Sequence, residues 1–316
     1  MTPVPPASPT SPASLKSPAA STTDPPGPPA GPFPAPAPGR RRPAPLRHAP
    51  AVVAAVIGLL FALPLLWVLA GSLRPGDEVL AGLDELTWRS FVPTHATPDN
   101  YVTLLEGDFG RAVLNSIGVA AAVIVVGLLL SATAAFALSV FDFPGRGAVF
   151  AVILLSFMIP FDAIAIPLST TLRDWGLQNT YLGLMLPGIG NGLAIFLLRQ
   201  FFLAVPRELV EAARMDGLGW WGVFWKIYLP LSRPALIGAG LTLFTFQWQS
   251  YMWPLLIGTE PSRQLGPIAL STLQGQLVVD YGQVFAAAAI LTLIPLLVLL
   301  RLQRHFTQSI AGSGLK

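Results

Sequence analysis

Apolar and polar residues fall along this chain in long blocks, and the apolar blocks have the length of a lipid bilayer. Six stand out: residues 51–73, 117–140, 148–168, 181–198, 235–257 and 282–300. Helical residues rise 1.5 Å each, so about 20 of them cross roughly 30 Å of hydrocarbon, and each block is predicted to be a transmembrane helix. The fourth is interrupted by Pro187, Gly188, Gly190, Asn191 and Gly192. A broken backbone at membrane depth is tolerated where neighbouring helices or a watery cavity satisfy its polar groups. The first block is too long for the core of a signal peptide and follows a long polar tail, so it is expected to stay as a helix.

The expected architecture is therefore an all-α integral membrane protein over residues 46–316, with six spans. Residues 1–45 are dominated by Pro, Ala and Ser, as in Pro25-Pro26-Gly27-Pro28-Pro29. Proline removes donors and fixes φ, and little apolar surface is present to offset ordering entropy, so this stretch is predicted to be a disordered tail. It ends in Arg40, Arg41, Arg42 and Arg47. Beside a span, such a basic cluster marks the cytoplasmic side rather than a nucleic-acid site.

The remaining charges support that orientation. With the N-terminus inside, the cytoplasmic segments hold 14 of the 19 Lys and Arg residues, and the outer side holds Arg74, Arg89, Arg111, Arg173 and Arg263. Six spans then return the C-terminus to the cytoplasm, and the protein is expected in the cytoplasmic membrane with both ends inside. Composition agrees: 11% of residues are charged and 53% hydrophobic, against roughly 25% charged in soluble domains. The chain must meet lipid as a solvent.

What is missing narrows the chemistry. There is no cysteine, and His48, His95 and His305 lie far apart, so no metal site is expected. The Gly188–Gly192 run follows no strand and precedes no Lys-Ser or Lys-Thr, so it is not a phosphate loop, and no Walker-type sequence occurs. No cofactor is expected. Asp162 is the one carboxylate well inside an apolar block; such a charge faces the bundle interior or a watery cavity. It either belongs to a solute path or is a packed or solvated residue near the outer end of its helix. Ion-coupled carriers use intramembrane carboxylates or histidines as relays. With hardly one here, uphill transport would need energy from a partner. No catalytic constellation is present, so no enzyme is expected.

Between the fourth and fifth blocks lies a polar segment containing Pro206, Glu208, Glu211-Ala212-Ala213, Asp216-Gly217, Trp221, Phe224-Trp225, Ile227-Tyr228-Leu229-Pro230 and Pro234. Pro206 suits the first helical position, Glu208 and Glu211 favour the positive end of the helix dipole, and Gly217 is placed to stop the helix in a left-handed conformation. Ala212 and Ala213 keep the helix slim enough for another surface to approach. Trp221, Phe224, Trp225 and Tyr228 suit the aromatic membrane interface. Read alone, these residues also fit a pair of interfacial amphipathic helices with no partner.

The same residues closely resemble the EAA signature of importer permeases of the ABC transporter superfamily: Glu-Ala-Ala, three residues, Gly, nine residues, Ile-x-Leu-Pro. Glu211, Ala212, Ala213, Gly217, Ile227, Leu229 and Pro230 match every position. From about Asn100 onward the chain is similar to the maltose-type carbohydrate permeases, through Asn100-Tyr101, Asn115-Ser116, Phe143-Pro144-Gly145, Trp253-Pro254-Leu255, Gln274-Gly275-Gln276 and the ending from Gln303. The proline-rich tail departs from that family's short N-terminus. The resemblance implies two permease subunits, usually unlike, each inserting a short coupling helix into a groove of a dimeric cytoplasmic ATPase. Glu211 would pair with a groove residue, Ala212 and Ala213 would allow close seating, Asp216 lies within the same loop, and Gly217 would set the bend. An extracytoplasmic solute-binding protein would deliver the solute.

Sparse charge within the spans suits a neutral, hydroxyl-rich solute such as a sugar or polyol. Gln247, Trp248, Gln249, Tyr251 and Trp253 offer amides and aromatic faces, and either line a translocation path or pack helices together across the membrane. The competing readings are an importer permease for another solute and a stand-alone secondary carrier.

Overall fold

The computed structural model describes residues 44–81, 91–92 and 95–313. The proline-rich stretch therefore lies, apart from Ala44 and Pro45, outside the described residues. Ala55–Lys316 forms one compact unit, and the preceding unit, Met1–Ala54, contributes the described start of the first helix. Among the described residues every regular element is helical.

The first helix, α1, runs Ala44–Ser72, and the short α2 (Gly76–Ala81) and α3 (Asp99–Glu106) follow it. α4 spans Asp108–Val140, 33 residues, or about 50 Å at 1.5 Å per residue. α5 (Arg146–Met158) and α6 (Phe161–Asp174) meet at 95°, and α7 (Tyr181–Ile189) and α8 (Gly192–Leu203) at 45°. α9 is Arg207–Met215. α10 (Trp220–Val223) continues through a π-helical turn, Phe224–Tyr228, into α11 (Leu229–Leu231). α12 (Arg233–Trp248), α13 (Met252–Ile257), α14 (Gly266–Gln274) and α15 (Tyr281–Ser313) complete the chain. Among the described residues three helices are long and apolar enough to cross a membrane, or up to six if each bent pair is one span, the third pair being Trp220–Leu231 and Arg233–Trp248 at 82°.

Two spans expected to be continuous are broken, and proline explains both. The third breaks at Ile159–Pro160, where Ile159 is extended (φ −71°, ψ 123°), because a residue before proline is pushed out of the α region. The fifth, expected to run to Ile257, stops at Trp248 and resumes at Met252. Pro254 would drive its ring into the carbonyl of Ser250 in a continuous helix. The break in the fourth block falls where its glycines and proline predicted, between Ile189 and Gly192.

α4 is the central strut, packed against α7, α8 and α12. Its buried positions, among them Ala112, Ser116, Val119, Ala120, Val123, Gly127, Ser131 and Ala135, recur every three or four residues, as one helix face requires. Most are small. Lipid gives helices no hydrophobic reason to associate, so close backbone approach and dispersion do that work. At Gly127 the seam is tightest: a Cβ there would stand 3.0 Å from the carbonyl oxygen of Ile189.

Buried amides clasp the turns to this frame. Asn115 Nδ2 donates to the carbonyls of Ser262 (3.1 Å) and Gln264 (3.0 Å), while its Oδ1 accepts from Tyr181 Oη (2.8 Å). Ser116 Oγ accepts the Gly266 N–H at 2.8 Å. Asn100 Nδ2 holds the carbonyls of Ser72 and Arg74 at 2.9 and 2.7 Å, tying α3 to the end of α1. The two asparagines satisfy backbone carbonyls, and Ser116 satisfies the N–H of the first residue of α14, a group that a helix start leaves open.

Gly127→Leu should overpack the α4–α7 seam and cost about 1–3 kcal/mol, lowering the thermal unfolding midpoint of the detergent-solubilised chain by several degrees. Gly118→Leu on the same helix has nothing within 4 Å of its new Cβ and should leave the midpoint unchanged. Equal midpoints for the two variants would contradict the packing described.

Candidate functional site

Two places carry the residues singled out from the sequence: the α9 turn and a cavity among the helix breaks. Pro206 (φ −58°, ψ 132°) stands just before α9 rather than opening it. Its carbonyl side leads into a turn whose acidic residue, Glu208, faces the positive dipole end. At the other end Gly217 is left-handed, with φ +84°. Its N–H reaches the Arg214 carbonyl at 3.1 Å, and the Leu218 N–H reaches the Ala213 carbonyl at 3.0 Å. This pair of bonds is the Schellman arrangement, which consumes the last carbonyls of the helix and reverses the chain. Nothing lies within 4 Å of where a Gly217 Cβ would stand, so glycine is required here by backbone conformation alone.

The turn splits the signature residues by direction. Ala213 is buried against the cluster formed by Phe136, Phe202, Val223, Phe224 and Tyr228, which joins the ends of α4 and α8 to the α10 segment. Ile227 and Leu229 pack on the same cluster. Glu211, Ala212 and Asp216 are exposed, as is Met215 at 89%. Of the two alanines, only Ala212 therefore lies on the open face. Arg214 stacks over the Trp220 ring (4.6 Å) and donates to the Leu218 carbonyl (3.0 Å). Trp220 meets Phe141, just past α4, edge to face at 5.0 Å.

Pro230 explains the π-helical turn. It has no N–H, and its ring would strike the Lys226 carbonyl in a regular helix; widening the turn, with the Leu229 N–H bonded to the Phe224 carbonyl, relieves both problems. Of the aromatic residues expected at the membrane interface, Trp221 and Trp225 are exposed, but Phe224 and Tyr228 are buried in the cluster. Helical spacing turns them inward.

The second place is a cavity of about 880 Å³. Three helix breaks open onto it: Ile159–Pro160, Gly190–Asn191 and Gln249–Tyr251. Asp162, Gln247, Gln249, Tyr251 and Trp253 line it. Trp248 does not. It is buried, stacks on Phe244 with ring centres 5.6 Å apart, and donates its indole N–H to the Leu291 carbonyl at 3.0 Å. One residue along a helix is a 100° turn, so Gln247 and Trp248 face different neighbours, and Trp248 locks α12 to α15. Gln247 is only 8% exposed and its Nε2 is buried without a hydrogen-bond partner. It fits because Gly188 has no side chain: a Cβ there would sit 2.6 Å from Gln247 Oε1.

Asn191, named from the sequence only as part of the interruption, also lines the cavity, as do Ser156, Phe157, Phe246 and Ser250, which were not singled out from the sequence. Asn191 Oδ1 accepts the Ala194 N–H at 3.0 Å, capping α8. The available signal was the breaks themselves, since residues flanking a break at membrane depth must face protein or water.

The family described as binding-protein-dependent transport system inner membrane component matches residues 124–312. The arabinooligosaccharides transport system permease protein AraQ of Halalkalibacterium halodurans is 32% identical over 268 residues, covering 83% of this chain and 94% of that protein. The sn-glycerol-3-phosphate transport system permease protein UgpE of Yersinia pestis is 32% identical over 244 residues, covering 77% and 83%. The crystal structure of a bacterial ABC transporter that imports the acidic polysaccharide alginate contains a chain of the same fold, with a TM-score of 0.69 and 22% identity over 84% of this chain and 98% of that one. By its matched residues and its relatives, the chain belongs to the binding-protein-dependent inner membrane component family, the permease subunits of ABC importers, and is a transport subunit rather than an enzyme.

Proposed function

We propose that this chain is the six-span permease of a sugar or polyol importer, with α9 as the helix that couples it to a separate ATPase. One observation carries the reading. A nine-residue helix is closed by a left-handed glycine, seated through Ala213 on the bundle end, and leaves Glu211, Ala212 and Met215 uncovered. A helix held firmly on one face and bare on the other is suited to a groove in another protein.

Both termini and α9 lie in the cytoplasm on this reading, which the 14-to-5 distribution of Lys and Arg supports. A dimeric ATPase receives α9, a second permease completes the pore, and an extracytoplasmic binding protein supplies the solute. AraQ, named for arabinooligosaccharide transport, supports a saccharide cargo. The geometry supplies a route for motion. Phe136 belongs to the cluster under α9 and Val123 lines the cavity, both on α4. Thirteen helical residues separate them, about 20 Å of rigid strut, so a push on α9 moves the cavity wall. Asp162, Gln247, Gln249 and Tyr251 are the residues assigned to the solute path, and Trp248 is assigned to packing.

Gly217→Val should abolish uptake in cells carrying the complete importer while the chain still inserts in the membrane, because a β-branched residue in the left-handed region costs at least about 1–2 kcal/mol and the spans are untouched. Gly217→Asn, which tolerates that region, should keep most of the uptake; loss of uptake in both variants would point away from the conformational role. Glu211→Lys should lower the ATPase recovered with the affinity-purified permease by about tenfold, the size of a lost charge contact, and undiminished recovery would remove Glu211 from the docking face. Since the chain has no cysteine, Ala212→Cys gives a single probe of sidedness. A membrane-impermeant maleimide should label it only after the cells are opened, and labelling of intact cells would reverse the topology.

A further inference from the structure

The cavity between the helix breaks is lined almost without charge. Asp162 is its single Asp or Glu, and no Arg, Lys or His lines it. Asp162 stands exposed in the first turn of α6. Among the described residues the ion pairs are His95–Glu78 and Arg146–Asp142, so its carboxylate is in neither.

The backbone adds to the same sign. α5 and α7 end at Ile159 and Gly190 with no cap hydrogen bond, and both residues line the cavity. A helix C-terminus carries about half a negative charge on its open carbonyls. Of the positive ends that open here, α8 is answered by Asn191 Oδ1 and α6 by Asp162 itself, while the short α13 starts at Met252 without a side-chain cap, which leaves Asp162 as the one full charge on the wall. A solute entering here meets acceptors and a negative field. A second anion would be repelled by Asp162, and the wall this chain supplies has no cation to offset its lost hydration. Hydroxyl groups would donate to a charged acceptor, the stronger kind of hydrogen bond.

We propose that Asp162 is a charge-selecting residue of the solute path, so that the cargo is a polyhydroxyl compound without acidic groups and uronates and phosphate esters are excluded. The inference rests on the reading of this cavity as the path. It separates this chain from two proteins it is similar to, whose names specify sn-glycerol-3-phosphate and the acidic polysaccharide alginate; the lining described has no cation suited to either.

The field can be measured without knowing the cargo. The chain has no cysteine, and Ser250→Cys places one thiol in the cavity wall. The full-length variant, in membrane fragments open on both faces, is treated with a trimethylammonium or a sulfonate thiosulfonate reagent of matched size. Each rate is divided by that reagent's rate with a free thiol in solution. The cationic reagent should then be favoured by about tenfold or more, as one unscreened charge at close range gives. Adding Asp162→Glu should keep the ratio, and adding Asp162→Asn should bring it toward one. If both reagents react at equal normalised rates, charge selection is overturned and the path reading stands. If neither reacts while the exposed Ala212→Cys does, the cavity holds no water and both readings fall. Ser156→Cys, on the α5 side of the same cavity, repeats the measurement should Ser250→Cys not fold.

Discussion

Inside a bilayer no water is available to take up a free N–H or C=O, so a helix can break only where protein or a hydrated cavity receives the groups it frees. That constraint organises the molecule. Pro160, the Pro187–Gly192 region and Pro254 each interrupt a span, and the three interruptions open onto one cavity. Had they fallen on lipid-facing stretches, each would have cost several kcal/mol per unsatisfied group. Gathered together they share one space, and the buried amide of Gln247 and the half-buried amide of Asn191 belong to its wall.

The rest of the fold holds that space and links it to the far end of α4. Small residues on α4 let α7, α8 and α12 approach closely, and Gly127 accepts the backbone of Ile189 at the inner edge of the break. Asn115 and Ser116 fix the turn before α14, and Asn100 fixes the end of α1. At the other end, Phe136, Phe202, Phe224 and Tyr228 meet edge to face or tilted, with ring centres 5.0–5.2 Å apart. Such aromatic pairs hold preferred geometries and add to the energy of burial, and they form the packed base under α9, whose outer face is bare.

The signature loop does two jobs at once. Glu211, Ala212 and Asp216 face outward, while Ala213, Ile227 and Leu229 face the bundle. Gly217 and Pro230 act through the backbone, one by permitting a left-handed turn and the other by forbidding a regular one. Spacing in such a motif therefore records two surfaces at once, one packed into the fold and one left open.

The sequence by itself determined the all-helical membrane character, the apolar blocks, the α9 helix and its glycine stop, and the interruption in the fourth block. These follow from composition, length and local backbone rules, which act within a few residues of the position concerned. Only the tertiary structure decided which face each residue presents. Gln247 and Trp248 are neighbours in the chain and equal candidates by chemistry, yet one lines the cavity and the other bonds to Leu291. The same holds for Ala212 and Ala213, and for Phe224 against Trp225. The breaks at Pro160 and Pro254 were legible as prolines, but not as walls of one cavity, because residues more than ninety positions apart are brought together by packing against α4 and not by any local preference.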